Sequence, residues 1–233
     1  MKACGWIKKR SIQDLLDECE SRGEFERSAA LAVWHGDLNS CVTALQRGAE
    51  DVKALVEEEY RCGNPFEKSS SNCETYSETL NLIAMCVAGF NVTAASDGTM
   101  QTTKLWSNAC ENLLRRPDMS TTNNSSEMQL PGVSHLRAIL LFLQNIGTDA
   151  GIHKTIYNEG LELSLADRVG FSCRFLPRAQ LYSFLDVSMR KCIKLGNLEG
   201  LLITGLDKRG IGLLQSHMDR ISDVQTAGES VVK

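Results

Sequence analysis

Histidine and cysteine side chains are the first place to look for chemistry in this chain, because they supply metal ligands, nucleophiles and general bases near neutral pH. The four histidines lie far apart in the sequence and form no HExxH motif. No two cysteines have the CxxC spacing of zinc fingers and thioredoxin-like sites, so neither site is predicted. The residues in question are His35, His135, His153 and His217 with Cys4, Cys19, Cys41, Cys62, Cys73, Cys86, Cys110, Cys173 and Cys192.

A cysteine nucleophile working with a distant histidine is the enzymatic alternative that these residue types leave open. Its candidates are Cys110 and Cys173, yet each lies at the spacing of apolar helix positions, where cysteine serves as a small core residue. Such an enzyme needs an accessible thiol with a low pKa. We therefore predict no catalytic residue and keep a cysteine-dependent helical enzyme as an alternative hypothesis.

Phosphate chemistry and nucleic-acid binding are not indicated either. The glycine-containing segment 205–212 holds two cations but lacks the GxxxxGK[ST] order, and no strand precedes it. Lysine and arginine number 25 against 29 acidic residues, and the net charge of -4 lacks the basic excess of a nucleic-acid binder. The sequence thus predicts no cofactor, no metal site and no nucleic-acid partner.

The composition predicts helices as the elements that position these side chains. The chain has 233 residues, of which 42% are hydrophobic, and this is enough for a buried core. Leucine, alanine and glutamate are plentiful, whereas the aromatic fraction is only 6% and there are four prolines. No strand pattern is found, so a mostly helical fold is expected.

The cysteines and the hydropathy of the sequence indicate the kind of compartment in which the chain is expected to fold. The nine cysteines are odd in number, and the first residues run into the basic cluster 8–10 instead of forming a secretory signal. A reducing compartment with free thiols is therefore expected. The longest apolar run, 138–143, is far shorter than the roughly 20 residues of a membrane-spanning helix, so direct membrane insertion is not predicted.

Apolar residues recur at helical spacing along most of the chain, and capping-box patterns at 11–14, 75–78 and 164–167 mark three helix starts. Polar stretches predict flexible insertions at 62–74, which includes the polar loop 68–72, and at 116–132. Eight helices are predicted with both ends: one from 12 to the turn at 23, 24–35, 51–61, 104–115, 135–146, one from 177 to 196, 198–205 and 211–221. Four more are predicted by their starts alone, at 38, 75, 164 and 222.

Two segments, 23–26 and 196–199, share the order glycine, polar residue, apolar residue, glutamate. The glycine of each ends one helix and the polar residue caps the next, while small residues such as Ala29 and Gly205 are expected to permit close helix contact. The predicted turn and capping residues are Gly23, Glu26, Asp37, Gly196, Asn197 and Glu199.

Successive short-linked helices that are apolar on two sides are typical of an α-solenoid, because each antiparallel pair is covered by its neighbours. The fold class predicted is therefore all-α, an α-solenoid of stacked antiparallel helix pairs forming one region over 1–233. A globular helix bundle remains the alternative architecture.

Five sequence blocks in consistent order resemble the α-solenoid of the Mios (missing oocyte) family. The most specific are GNLEGLLITGL at 196–206 and DR at 219–220 followed by DVQTA at 223–227. The others are CGWIKK at 4–9, GEFER at 23–27 and DRVGFSCRFL at 167–176. The chain departs from the family pattern in lacking the N-terminal propeller strands and the C-terminal zinc-ligand cysteines, so it is expected to be a fragment or a diverged short form.

The resemblance implies a non-enzymatic scaffold subunit of a GATOR/SEA-type complex, which regulates amino-acid signalling to the TOR kinase complex. It also implies Seh1-like and Sec13-like propellers and WD-repeat subunits as partners. The implied location is the cytoplasm, with the complex at the lysosomal or vacuolar membrane. A membrane-coat or nuclear-pore type α-solenoid is the alternative scaffold, because stacked helix pairs alone do not distinguish these classes.

Overall fold

A computed structural model describes residues 11–61, 67–90, 100–116, 119, 132–144 and 161–221. These residues form helices and turns with no strand among them, which confirms the prediction of an all-α fold. Contacts divide the chain into two compact units, Met1–Glu162 and Leu163–Lys233, and each is described by itself. The single solenoid region over 1–233 stays a prediction. Within the described ranges, none of the helices combines the length and apolar character that crossing a bilayer requires.

The described part of the first unit is built from helices that pack mainly on their neighbours in sequence. Each helix from α1 to α4 contacts the next, and α6 contacts both α2 and α5. Gly48 lies against Phe25, at the opposite end of α2 from the α2–α3 turn, so α2 and α3 are antiparallel. The elements are α1 (Ile12–Ser21), α2 (Phe25–His35), α3 (Leu38–Arg61), α4 (Glu67–Ala88), α5 (Met100–Leu114) and α6 (Val133–Gln144).

Helix α2 is the most enclosed element of this unit because α1, α3 and α6 all pack against it. Its residues from Ser28 to Trp34 are all buried. Ala29 is fully buried, as the expectation of close helix contact there requires. The largest fully buried side chains of the other helices are Leu16, Leu45, Leu80, Ile83, Leu136, Ile139, Leu140 and Leu143.

The second unit gathers its helices around a small apolar cluster of Leu165, Cys192 and Leu213. Val169, Ile193, Leu201 and Ile203 pack against this cluster. The elements are α7 (Leu165–Phe175), α8 (Arg178–Leu195), a 3-10 helix (Leu198–Gly200), α9 (Leu201–Thr204) and α10 (Lys208–Ile221).

The prediction of separate helices before and after position 50 is wrong, because α3 runs unbroken from Leu38 to Arg61. Gly48 in its middle was a natural place for a break, since glycine lowers helix propensity. A Cβ at this position would lie only 2.9 Å from the Cβ of Phe25, so the missing side chain lets α2 approach. Tertiary packing therefore overrides local propensity here.

The polar loop predicted at 68–72 is also wrong, because α4 is helical from Glu67 onward and Thr75 lies inside it. No proline or glycine occurs between 67 and 88 to end a helix, and the weak propensities of serine and asparagine do not prevent one. The capping-box pattern at 75–78 therefore does not begin a helix. Ser77 is buried within α4, and its hydroxyl donates to the carbonyl of Ala49 on α3 at 3.0 Å.

Gly205 serves a backbone role and not the close helix contact that was expected of it. A Cβ there would meet no atom within 4 Å, whereas its φ of 61° and ψ of -152° favour glycine. Several predictions lie outside the described residues: the segment 62–66, most of the insertion 116–132, the helix from 222, and the sequence blocks 4–9 and 223–227.

Candidate functional site

Three helices end in the same type of hydrogen-bonded turn, and each of these turns contains a glycine with positive φ. These glycines are Gly23 at 74°, Gly36 at 82° and Gly196 at 64°. In each turn the residue after the glycine donates its N–H to the carbonyl five positions back, and the glycine N–H bonds the carbonyl three positions back. The bonds that span five positions join Glu24 to Cys19 at 2.9 Å, Asp37 to Ala32 at 2.9 Å and Asn197 to Cys192 at 3.0 Å.

The residue after the glycine caps the following helix in two of these turns. Oδ1 of Asp37 accepts from the N–H of Ser40 at 3.0 Å, and Oδ2 accepts from the Ser40 hydroxyl at 2.7 Å. Asn197 Oδ1 accepts from the N–H of Glu199 at 3.0 Å, while the Glu199 side chain is exposed. Asp207 caps α10 in the same manner, through the N–H groups of Arg209 and Gly210 at 2.8 and 3.0 Å.

Replacing Asp37 with alanine is expected to lower the free energy of unfolding by about 1 kcal/mol at neutral pH, because the start of α3 loses its cap. The hydrogen bonds from Ser40 hold the pKa of Asp37 below its ordinary value of 3.8. A depressed pKa stabilises the fold above 3.8, and this contribution is lost as the pH falls through the lower folded-state value. Urea unfolding at pH 7 and pH 3 measures the difference.

Asp37→Asn is the matched control, since asparagine keeps a capping oxygen without the carboxylate charge. We expect it to retain most of the stability at pH 7 and to lose the pH dependence. An alanine variant as stable as the parent at pH 7 would contradict the capping role.

Glu26, which was predicted as a turn and capping residue, is a buried acid with a long-range partner. The hydroxyl of Tyr76 on α4 donates to Glu26 Oε1 at 2.6 Å. Burial raises the pKa of Glu26 above its ordinary value, although the hydrogen bond from Tyr76 opposes the shift. Gly132 faces the same carboxylate, and a Cβ on it would lie 2.5 Å from Glu26 Cδ. The turn prediction therefore missed a contact among α2, α4 and the start of α6.

The predicted turn residues are not gathered into one chemical site. Gly23 lies at the α1–α2 turn and Asp37 at the α2–α3 turn, whereas Gly196, Asn197 and Glu199 lie together after α8 in the second unit. The turn at Gly196 has an additional contact, because its carbonyl is 2.8 Å from Nδ1 of the buried His217. A carbonyl only accepts, so Nδ1 of His217 carries the proton. This histidine joins α10 to the end of α8.

The two cysteines considered as nucleophiles do not form a catalytic pair with a histidine in the described residues. Cys110 is fully buried, and its pKa is raised, first by its hydrogen bond with Cys86 and then by burial. Cys173 is exposed on α7, but its thiol makes no hydrogen bond to a described histidine. Neither thiol is both accessible and activated by a base.

The histidine, cysteine and acidic side chains of the described ranges do not cluster in the way that metal binding requires. In that part of the chain, no three of them come close enough together to hold an ion. The described residues also include several large apolar side chains that face water.

Most large apolar side chains that face water in the described residues belong to the second unit. Leu202 on α9 is 59% exposed, and Leu206 between the helices and Ile211 in the first turn of α10 are each 54% exposed. Residues 202–211, which hold these three side chains, are called the α9–α10 segment. The other exposed residues of this kind are Tyr182, Val187 and Leu195 on α8, with Leu55, Leu82 and Met85 in the first unit. Leu202 and Leu206 are exposed whereas Leu213 and Leu214 are buried, so residue type alone does not indicate this surface.

Comparison with known proteins identifies the family to which this helical chain is similar. The family model described as "MIOS, alpha-solenoid" matches residues 1–175. The chain is 30% identical over 230 residues to the GATOR2 complex protein MIOS-A of Xenopus laevis, covering 97% of this chain and 21% of that protein. It is 29% identical over 239 residues to the GATOR2 complex protein MIOS of Danio rerio, covering 100% and 22%.

A third relative is SEH-associated protein 4 of Saccharomyces cerevisiae, which is 29% identical over 224 residues, covering 96% of this chain and 17% of that protein. The chain therefore spans only about a fifth of the length of these relatives. The family model covers most of the chain and describes an α-solenoid, which confirms the predicted fold class and the resemblance stated above. The chain belongs to the MIOS family, within its α-solenoid region.

Proposed function

We propose that this chain is a non-enzymatic scaffold element of a GATOR/SEA-type complex and acts through protein–protein contacts. The observation that carries the proposal is the alignment of nearly the whole chain with proteins named as GATOR2 components. The chemistry of the described residues supports it, because no group of three metal-ligating side chains occurs among them and neither Cys110 nor Cys173 is hydrogen-bonded to a described histidine.

The partners that fit this role are propeller proteins of the Seh1 and Sec13 type and other WD-repeat subunits. The name of the yeast relative, which associates that protein with SEH, supports this assignment. The complex would regulate amino-acid signalling to the TOR kinase complex from the cytoplasmic side of the lysosomal or vacuolar membrane. On this proposal the chain reaches the membrane through its partners.

The exposed apolar residues of the α9–α10 segment are the surface that we propose for contact with a partner protein. Exposed leucine and isoleucine stabilise a complex when a partner removes them from water. Leu202 and Ile211 lie on the two helices that flank Asp207, whose hydrogen bonds to the N–H groups of Arg209 and Gly210 cap the start of α10. We therefore propose that a protein subunit of the complex contacts this segment.

The test uses cells in which the chain is replaced by its Leu202→Glu, Ile211→Glu double variant. We expect capture of the other subunits to fall by about tenfold or more, which corresponds to roughly 1.4 kcal/mol of binding free energy. The response of TOR substrates to amino-acid restimulation should weaken in parallel.

Leu55→Glu is the matched control, because Leu55 is 57% exposed and lies in the other unit. It should leave capture and the amino-acid response unchanged. Full capture by the Leu202→Glu, Ile211→Glu variant would contradict the proposed segment. An amino-acid response that survives deletion of the chain would contradict the signalling role.

A further inference from the structure

Two cysteine thiols meet where the second half of α4 packs against α5. The side chains of Cys86 and Cys110 are hydrogen-bonded to each other. One helical turn away, the rings of Phe90 and Trp106 lie with their centroids 5.2 Å apart. Cys86 on α4 and Phe90 just after its end, like Trp106 and Cys110 on α5, are spaced four positions apart, and the contacts run in opposite chain directions. The antiparallel register set by the aromatic pair holds the two sulfur atoms together.

We propose that Cys86 and Cys110 form an oxidisable dithiol that a hydroperoxide converts into a disulfide joining α4 to α5. In the first step the Cys86 thiolate attacks a peroxide oxygen, so an S–O bond forms and the O–O bond breaks. With hydrogen peroxide the leaving hydroxide takes a proton and becomes water, and Cys86 becomes a sulfenic acid. In the second step the Cys110 sulfur attacks the Cys86 sulfur, the S–O bond breaks, and a second water leaves. The sulfur pair is oxidised by two electrons and the peroxide is reduced.

The surroundings assign the two thiols different roles. Cys86 is only partly buried, so a small peroxide can reach it, whereas Cys110 is fully buried. The hydrogen bond with Cys110 lowers the pKa of Cys86. The pKa of Cys110 is raised, first by the same hydrogen bond and then by burial and by the charge on Cys86. Oxidation of Cys86 removes that charge, which favours ionisation of Cys110 for the second step.

Two other described cysteines differ from this pair in their surroundings. Cys41 is buried, and desolvation raises its pKa to about 12. Cys173 is exposed and serves as an accessible internal reference. A metal ion is a poor alternative for the pair, because no third histidine, cysteine or acidic side chain joins it among the described residues.

The experiment treats the purified chain of 233 residues with hydrogen peroxide, alkylates the remaining thiols after unfolding, and maps them by mass spectrometry. The expected product is a Cys86–Cys110 linked peptide pair whose mass is lower by two hydrogen atoms than that of the two thiols. Loss of free Cys86 should be about tenfold faster than loss of free Cys41.

Cys110→Ser should stop the reaction at the sulfenic acid, which a dimedone probe labels on Cys86, and Cys86→Ser should abolish the disulfide. Cys173→Ser is the matched control and should leave disulfide formation unchanged. Melting curves of the reduced variants establish that each remains folded. Cys110 that is still fully alkylated after complete oxidation of Cys86, or a disulfide from Cys86 to another cysteine, would overturn the proposal.

Discussion

Gly132→Ala is expected to lower the free energy of unfolding of the first unit by about 3 kcal/mol, among the largest effects expected of a glycine substitution in the described residues. Gly132 has a φ of 89°, where an alanine is strained by about 1 kcal/mol. Its Cβ would also lie 2.5 to 2.6 Å from Cδ, Cγ and Oε2 of Glu26. Glu26 cannot easily move, because it is buried and accepts the hydrogen bond of Tyr76.

Tryptophan fluorescence during urea unfolding measures this change within the first unit, because the three tryptophans, at 6, 34 and 106, all belong to it. Gly23→Ala is the matched control, since Gly23 also has positive φ but a Cβ added to it would meet no atom within 4 Å. It should cost about 1 kcal/mol from backbone strain alone.

A double-mutant cycle with Glu26→Ala isolates the contact between the two residues. Removing the carboxylate side chain relieves the overlap, so Gly132→Ala should cost about 1 kcal/mol in that background. Equal costs in the presence and absence of the Glu26 side chain would show that the predicted contact does not exist.

Leu213→Ala is expected to destabilise the second unit by about 3 kcal/mol, because it removes the only fully buried member of that unit's apolar cluster among the described residues. Leu213 packs with Leu165 and Cys192, and its Cδ2 would lie 3.0 Å from a Cβ on Gly200. A glycine at 200 thus brings the 3-10 helix close to α10, which leaves little freedom for the surroundings to fill the cavity.

Hydrogen exchange of the α8 and α10 amides measures this loss, since the second unit contains no tryptophan. Leu202→Ala is the matched control: the same side chain is removed from a position that is 59% exposed, so the change should stay within about 0.5 kcal/mol. Similar exchange rates in the two variants would contradict the assignment of Leu213 to the core.

The sequence predicts a helix start correctly where the capping residues lie within a few positions of each other. Ser11 and Asp14 form the reciprocal capping box, with bonds of 2.8 and 3.1 Å, because both partners lie within one helical turn. The turn glycines can also be predicted from local sequence, because glycine itself favours a positive φ. The boundary of α3 was predicted wrongly because packing against α2 outweighs the low helix propensity of Gly48. The start of α4 was predicted wrongly because the weak helix propensities of the polar residues at 68–72 do not prevent a helix.

Contacts between distant positions could not be predicted from one sequence. Glu26 and Tyr76 are separated by 50 positions, and nothing in the local pattern around either residue indicates the other. The Cys86–Cys110 contact likewise depends on the register of α4 and α5. The family, in contrast, could be recognised from sequence, because several motifs occur in order along the chain and the family model matches residues 1–175.

Affinity capture of the tagged chain from its own cells, followed by cross-linking and mass spectrometry, tests the central claim most directly. The account predicts that GATOR2 or SEA subunits are recovered in stoichiometric amounts and that cross-links join them to this chain. A folded, monodisperse chain that recovers none of these subunits, or one cross-linked instead to membrane-coat or nuclear-pore subunits, would contradict it.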